Sequence, residues 1–111
     1  MTEPILVMAR RIAIQMLHEA QIAQPQSITG VVLARNGEPV SFHQGKEVTA
    51  GQILWARCWS NPLAPAVPTA EELAADGLHL VISLNTKGVL EMRAWELQAG
   101  QPHEREIKIK D

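Results

Sequence analysis

The sequence predicts an α+β fold, in which one long helix leads into a mixed, largely antiparallel sheet. Three observations carry this prediction. Ile5, Ala9, Ile12, Met16 and Ala20 recur at helical spacing, with Met8, Ala13 and Leu17 beside them. Apolar runs within 27–35, 52–60, 78–84 and 89–97 have the length of strands. Asn36-Gly37 separates two extended segments with the residue types that a tight hairpin turn demands. The 111 residues suffice for one core, so residues 1–111 are read as a single domain.

The opening helix is expected over residues 2–23. Thr2 would cap it, Glu3 and Pro4 would occupy its first turn, and Pro25 would end it. Its wide apolar stripe suits packing against a sheet. Residues 27–35 form a buried strand and 39–44 its hairpin return. The polar, glycine-bounded segment 45–51 is expected to be a loop. In the strand 52–60, alternation places Leu54, Ala56 and Cys58 on one face, and Ile53, Trp55, Arg57 and Trp59 on the other. Three prolines in 61–68 exclude regular structure. Thr69-Ala70-Glu71-Glu72 has the form of a capping box opening a short helix that runs to about Asp76, with Gly77 after it. Strands follow at 78–84 and 89–97, separated by a turn at 85–88. Residues 99–103 connect to a last edge strand at 105–110, whose lysines discourage pairing with other chains.

Composition narrows the functional classes. Apolar residues make up 46% and charged residues 20%, and the net charge is −2, so a nucleic-acid footprint is not expected. A single cysteine, Cys58, rules out an internal disulfide and suits a reducing compartment. No apolar run approaches a membrane span, and the N-terminal order of charged and apolar residues is not that of a signal peptide. The expected location is cytoplasmic. No pair of histidines has metal-ligand spacing, and no glycine-rich phosphate loop or nucleophile elbow is present.

Trp59-Ser60-Asn61-Pro62, with Thr69 and Glu72 beyond it, carries the strongest motif signal. Its spacing resembles that of the JAMM (MPN/JAB) metalloproteases, prokaryotic branch, which carry His-x-His-Pro at a strand end, then Ser and an Asp ligand. The segment Ser27-Ile28-Thr29-Gly30-Val31-Val32-Leu33-Ala34 resembles the family's E-x-x-G-L-L-x-G strand, and Arg93-Ala94-Trp95 its later R-A-W strand. The resemblance implies a cytidine-deaminase-like JAMM/MPN fold. It also implies a zinc mechanism. Two imidazoles and a carboxylate hold Zn²⁺, the metal lowers the pKa of its water, a Glu moves the proton, and a Ser assists the oxyanion.

Carried over residue by residue, the base falls on Ser27, the two imidazole positions on Trp59 and Asn61, the Ser on Thr69 and the Asp on Glu72. Indole offers no nitrogen lone pair, and an amide oxygen is a poor zinc ligand beside imidazole. The chain therefore resembles a degenerate member: no catalytic residue, no metal ligand set and no cofactor are expected. The positions of the altered site are Ser27, Trp59, Ser60, Asn61, Thr69 and Glu72.

Each residue also has a plain structural reading. Trp59 could fill the vacated metal cavity, or could join Trp55, Arg57 and His43 in a recognition surface. Asn61 before Pro62 suits a turn, and Glu72 suits the capping box. Cys58 is expected to be a buried, inert thiol. His43 is the first choice for any replacement chemistry; His79 is expected to face solvent. The function this implies is a binding or scaffold module for a protein or peptide partner, such as an extended ubiquitin-like tail added at a strand edge, with homodimerisation as a further expectation. The alternatives are a diverged metal-dependent isopeptidase or peptidase, using Glu72, His43 and Asn61 or a partner's ligands, and a purely structural subunit of an assembly.

Overall fold

The computed structural model describes residues 5–45, 51, 53–73, 77–84 and 91–110. The expected Thr2 cap, most of the 45–51 loop, the end of the short helix and the 85–88 turn lie outside them. The elements are β1 (Leu6–Ala9), α1 (Arg10–Ala23), β2 (Thr29–Arg35), β3 (Glu38–Gln44), β4 (Ile53–Asn61), β5 (His79–Ser83), β6 (Glu91–Gln98), β7 (Gln101–Arg105) and β8 (Ile107–Lys110). This is the expected α+β architecture.

Six strands form one sheet in the order β3-β2-β4-β5-β6-β7; only the β4–β5 pair is parallel. One face of this sheet is covered by α1 and by the β1–β8 ribbon. Ile12, Ala13, Met16 and Ala20 form the buried stripe of α1. They meet Val32, Phe42, Ala56, Cys58, Leu80, Ile82 and Ala94 in the main core. Fully burying the larger of these side chains stabilises the fold by about 1.5–3 kcal/mol each, which is why the amphipathic period fixes the helix here.

Both ends of the chain depart from expectation. Residues 6–9 form a strand instead of the first turns of the helix, and Ala9 stands at the N-cap. Over four residues, apolar period 2 and period 3.6 are hard to separate. The deciding partner is remote: β1 pairs in parallel with β8, Leu6 opposite Ile107 and Met8 opposite Ile109. Met8 is buried by this arrangement, and Ile5 is left half exposed. The last segment is likewise not one edge strand. Ala99 and Gly100, with φ of 52° and 77°, form a two-residue turn, so β7 begins at Gln101 and the chain breaks at Glu106 before β8.

The two edges of the main sheet are blunted by different means. The carbonyls of Val40 and Phe42 on β3 accept hydrogen bonds from Arg11 (3.1 Å) and Gln15 (3.3 Å) of α1. On β7, Gln98 and Gln101 close the hairpin, so the next pair, Leu97 and Pro102, is a non-hydrogen-bonded one. The nitrogen of Pro102 therefore faces outward, where it offers an incoming strand no donor. A proline, rather than the lysines of β8, guards this edge.

Asn36 and Gly37 form the expected hairpin turn, with φ of 53° and 79°. Gly30 sits in the middle of β2 because the ring of Phe42 and the carbonyl of His43 lie where a Cβ would be. No described helix is long and apolar enough to cross a membrane.

Candidate functional site

The second face of the sheet carries Trp59, the centre of the motif. A register shift between Val32 and Leu33 leaves Trp55 unmatched on β4, with Ala56 opposite Val32 and Leu54 opposite Leu33. Such a bulge reverses the alternation on one side of it. Trp55 therefore turns to the main core beside Ala56 and Cys58. Leu54 shares the opposite face with Arg57 and Trp59. The expected surface of Trp55, Arg57 and Trp59 on one strand face is not formed, because simple alternation takes no account of an extra residue.

Downstream of the bulge the expectation holds. Trp59 is half buried against a second, smaller core of Ala66, Leu73, Val81 and Trp95. This core exists because the proline-rich segment 62–68 folds back over β5 and β6. Three side chains pin that segment. Asn61 Oδ1 accepts from the Leu63 amide at 3.2 Å, in the expected turn role. Ser83 Oγ donates to the Ala64 carbonyl at 2.6 Å, and Trp95 Nε1 donates to the Ala66 carbonyl at 2.9 Å. The segment then enters the capping box: the Glu72 amide donates to Thr69 Oγ1 at 3.2 Å, and the Thr69 amide to Glu72 Oε1 at 2.9 Å. Residues 70–73 make one hydrogen-bonded turn where a short helix is expected.

Ser27, Trp59, Ser60, Asn61 and Glu72 line one cleft of about 390 Å³, together with Ile28 and Thr29. Five of the six motif positions are thus neighbours in space, though Ser27 and Glu72 come from separate loops. Thr69 lies behind Glu72, bound to it. Ser60 itself is buried and accepts from the Ile28 amide at 2.8 Å, so its hydroxyl ties β4 to the start of β2. A second hollow of about 270 Å³ also borders Trp59, lined by Thr29, Val31, Arg57, Glu72 and His79 among others. Thr29, Trp59 and Glu72 line both.

His79 corrects an expectation. It is 2% exposed, not solvent-facing, and stands edge-on to Trp59. Its strand, β5, lies between β4 and β6, with the main core on one face and the second core on the other. The nearly unbroken apolar run around it is the signal that could have revealed this, since such runs mark strands buried on both faces. His43 sits elsewhere. It is paired across β2–β3 with Val31, lies 3.1 Å from Ser41 Oγ, and lines a separate concavity of about 400 Å³ with residues of the hairpin. Neither concavity beside Trp59 includes it. The set Glu72, His43 and Asn61 is therefore not assembled.

The donors at the Trp59 cleft do not fit a zinc site. The indole nitrogen has no available lone pair. Asn61 Oδ1 and Glu72 Oε1 already accept backbone amides. Among the described residues, no three His, Cys, Asp or Glu side chains are grouped to hold a metal ion. Cys58 lies on the opposite face, 2% exposed, and burial, with a smaller effect of the Glu19 charge, pushes its thiol up to about 12. A thiol so far from ionisation is no nucleophile at neutral pH.

One arginine of β6 and one of β7 are paired with glutamates. Arg93 lies 5.1 Å over the Trp95 ring and binds Glu104 with two nitrogens, one at 2.8 Å. That hydrogen bonding holds the Glu104 carboxyl below the usual carboxylate range. Arg105 binds Glu96 at 3.1 Å.

No family profile matches the chain, and no curated protein matches its sequence. Solved structures do match its fold. A protein from Desulfitobacterium hafniense superposes with a TM-score of 0.79 at 18% identity, covering 96% of this chain and 94% of its own. A JAB1/MPN-domain protein from Archaeoglobus fulgidus gives a TM-score of 0.69 at 15% identity, covering 93% and 98%. A structure described as JAMM, a metalloprotease-like zinc site in the proteasome and signalosome, gives 0.73 at 12% identity, covering 97% and 100%. The chain has the JAMM/MPN fold.

Proposed function

We propose that this chain is a JAMM-like domain without hydrolase chemistry, which binds the end of an extended peptide segment at the Trp59 cleft. One observation carries the reading: the motif positions Ser27, Trp59, Ser60, Asn61 and Glu72 come together around one cleft, yet supply a hydroxyl, an indole and an amide where the zinc mechanism needs a base and two imidazoles. The frame of the site is kept and its reactive groups are replaced. Indole area next to a polar rim suits recognition of a peptide, since aromatic side chains anchor interfaces.

The blunted edges bear on how the segment enters. With Arg11 and Gln15 on the β3 carbonyls and Pro102 on the β7 edge, strand addition along the main sheet is disfavoured. The segment reaches the cleft end-on, through its last residues.

Purified protein titrated with a peptide of a ubiquitin-like tail should show amide and indole shifts at Arg57, Trp59 and Glu72. It should leave an isopeptide-linked substrate intact on prolonged incubation with added zinc. Stoichiometric zinc that survives dialysis, together with cleavage, would refute the proposal. The register of the carry-over has its own test. Ser27→Glu, Trp59→His, Asn61→His and Glu72→Asp combined should create zinc binding, whereas a folded mutant that ignores zinc would show the alignment to be wrong.

A further inference from the structure

Resting on that reading, we infer that Arg57 takes the terminal carboxylate of the bound segment, so that the module selects free C-terminal ends over internal or capped peptide. Arg57 lies two positions before Trp59 on the same face of β4, beyond the bulge. Its backbone amide donates to the Leu78 carbonyl at 2.9 Å, which fixes the base of the side chain between β2 and β5. The side chain is exposed and lines the smaller hollow beside Trp59.

Its charge has no acidic partner among the described residues. The contrast with Arg93 on the same face, which pairs across the sheet with Val81, is informative: it is matched to Glu104. A guanidinium left unmatched at the wall of a hollow suits a planar, bidentate anion, and the carboxylate is the anion an extended peptide brings. The hollow measures about 270 Å³. That lies below the usual range for pockets holding drug-sized ligands, roughly 300–1,000 Å³, and suits the last residues of a chain rather than a folded surface.

Glu72 shares this hollow and sets the orientation. Its Oε1 is held by the Thr69 amide. Its other oxygen repels an anion but accepts an N–H. The ligand therefore lies with its carboxylate toward Arg57 and a peptide amide toward Glu72, against the Trp59 ring. His79 is buried behind that ring, and His43 stands one strand further away, beyond Val31. Arg57 is thus the cation nearest the ligand's end.

The test uses the whole chain and a synthetic hexapeptide ending in Gly-Gly, as the free acid, as the C-terminal amide, and as the amide carrying one internal aspartate. Calorimetry should show the free acid binding about tenfold or more tightly than either amide, as expected for a charge-assisted bidentate contact. Arg57→Gln should bring the acid-to-amide ratio close to one without lowering the melting temperature. Arg57→Lys should restore part of the preference. Glu72→Gln should weaken the amide more than the acid, because it also removes the repulsion of the acid's carboxylate. Equal binding of acid and amide by the unaltered protein, or a preference that survives in Arg57→Gln, overturns the carboxylate assignment while leaving the peptide module standing. An aspartate-bearing amide that matches the free acid also overturns it, since the contact would then be with a side chain. If no form binds, the peptide module itself falls, and this assignment with it.

Discussion

Trp59 meets His79 edge to face, with ring centroids 5.3 Å apart and planes inclined at 65°. Arg57 stands beside His79 in the parallel β4–β5 register, so the guanidinium-bearing position, the indole and the buried imidazole are neighbours on one face of the sheet. The edge-to-face pair contributes about 0.5–1.5 kcal/mol beyond area burial. Trp59→Ala should therefore cost about 2–4 kcal/mol in denaturant unfolding, from lost packing on the second core together with this pair. A loss under about 0.5 kcal/mol would mean that the indole is not packed as described.

The proline-rich segment hangs on two buried donors. Trp95→Phe keeps an aromatic ring, though a smaller one, and leaves the Ala66 carbonyl without its partner, while Ala66 is fully buried. The expected cost is about 1–3 kcal/mol, the penalty for an unmet buried acceptor. Ser83→Ala removes the bond to Ala64 in the same way. In both variants, amides of 62–68 should exchange with solvent faster while those of α1 do not. Uniform acceleration across the chain would show that the segment is not an independent unit.

Gly30→Ala should be poorly tolerated although the residue is a small one in a strand. An added Cβ would lie 2.6 Å from the His43 carbonyl oxygen and 2.7 Å from the Phe42 ring. Backbone cannot step aside as a flexible side chain can, so overpacking of about 1–3 kcal/mol is expected. Thermal melting of the variant checks this, and an unchanged transition would contradict the close approach of β3.

Cys58 predicts a pH dependence. Its thiol is raised from 9.0 to about 12 by burial first and by the Glu19 charge second. The folded state thus holds the proton more tightly than the unfolded one. Stability from this group is fully present below about pH 9 and is lost as pH rises toward 12. Cys58→Ala should flatten the decline across that window. Thiol reagents at pH 8 should label the unaltered protein only after denaturant is added. Rapid labelling of the folded protein would contradict the burial.

Trp55→Ala distinguishes core from surface. The bulge places this indole against the main core, where it shares a concavity with Leu6 and Ala9. A loss of about 2–4 kcal/mol is expected, with peptide binding at the Trp59 cleft retained. Loss of binding at unchanged stability would instead make Trp55 part of the recognition surface.

The sequence alone determined the α+β class, the helix through Ala23, the Asn36-Gly37 hairpin, the central strands and the capping box of Thr69 and Glu72, because each rests on local periodicity or local hydrogen bonding. The motif spacing also named residues that meet at one cleft. Tertiary structure decided the rest. Residues 6–9 became strand because Ile107 and Ile109 lie beside them. A bulge of one residue turned Trp55 into the core. His79 was buried by a central strand position between β4 and β6 and by the ring of Trp59. Pairing between distant segments carries no signature in either segment alone, and a register shift reverses faces without altering composition. Local patterns therefore chose the elements, and long-range packing chose which side of each would face the core and which the cleft.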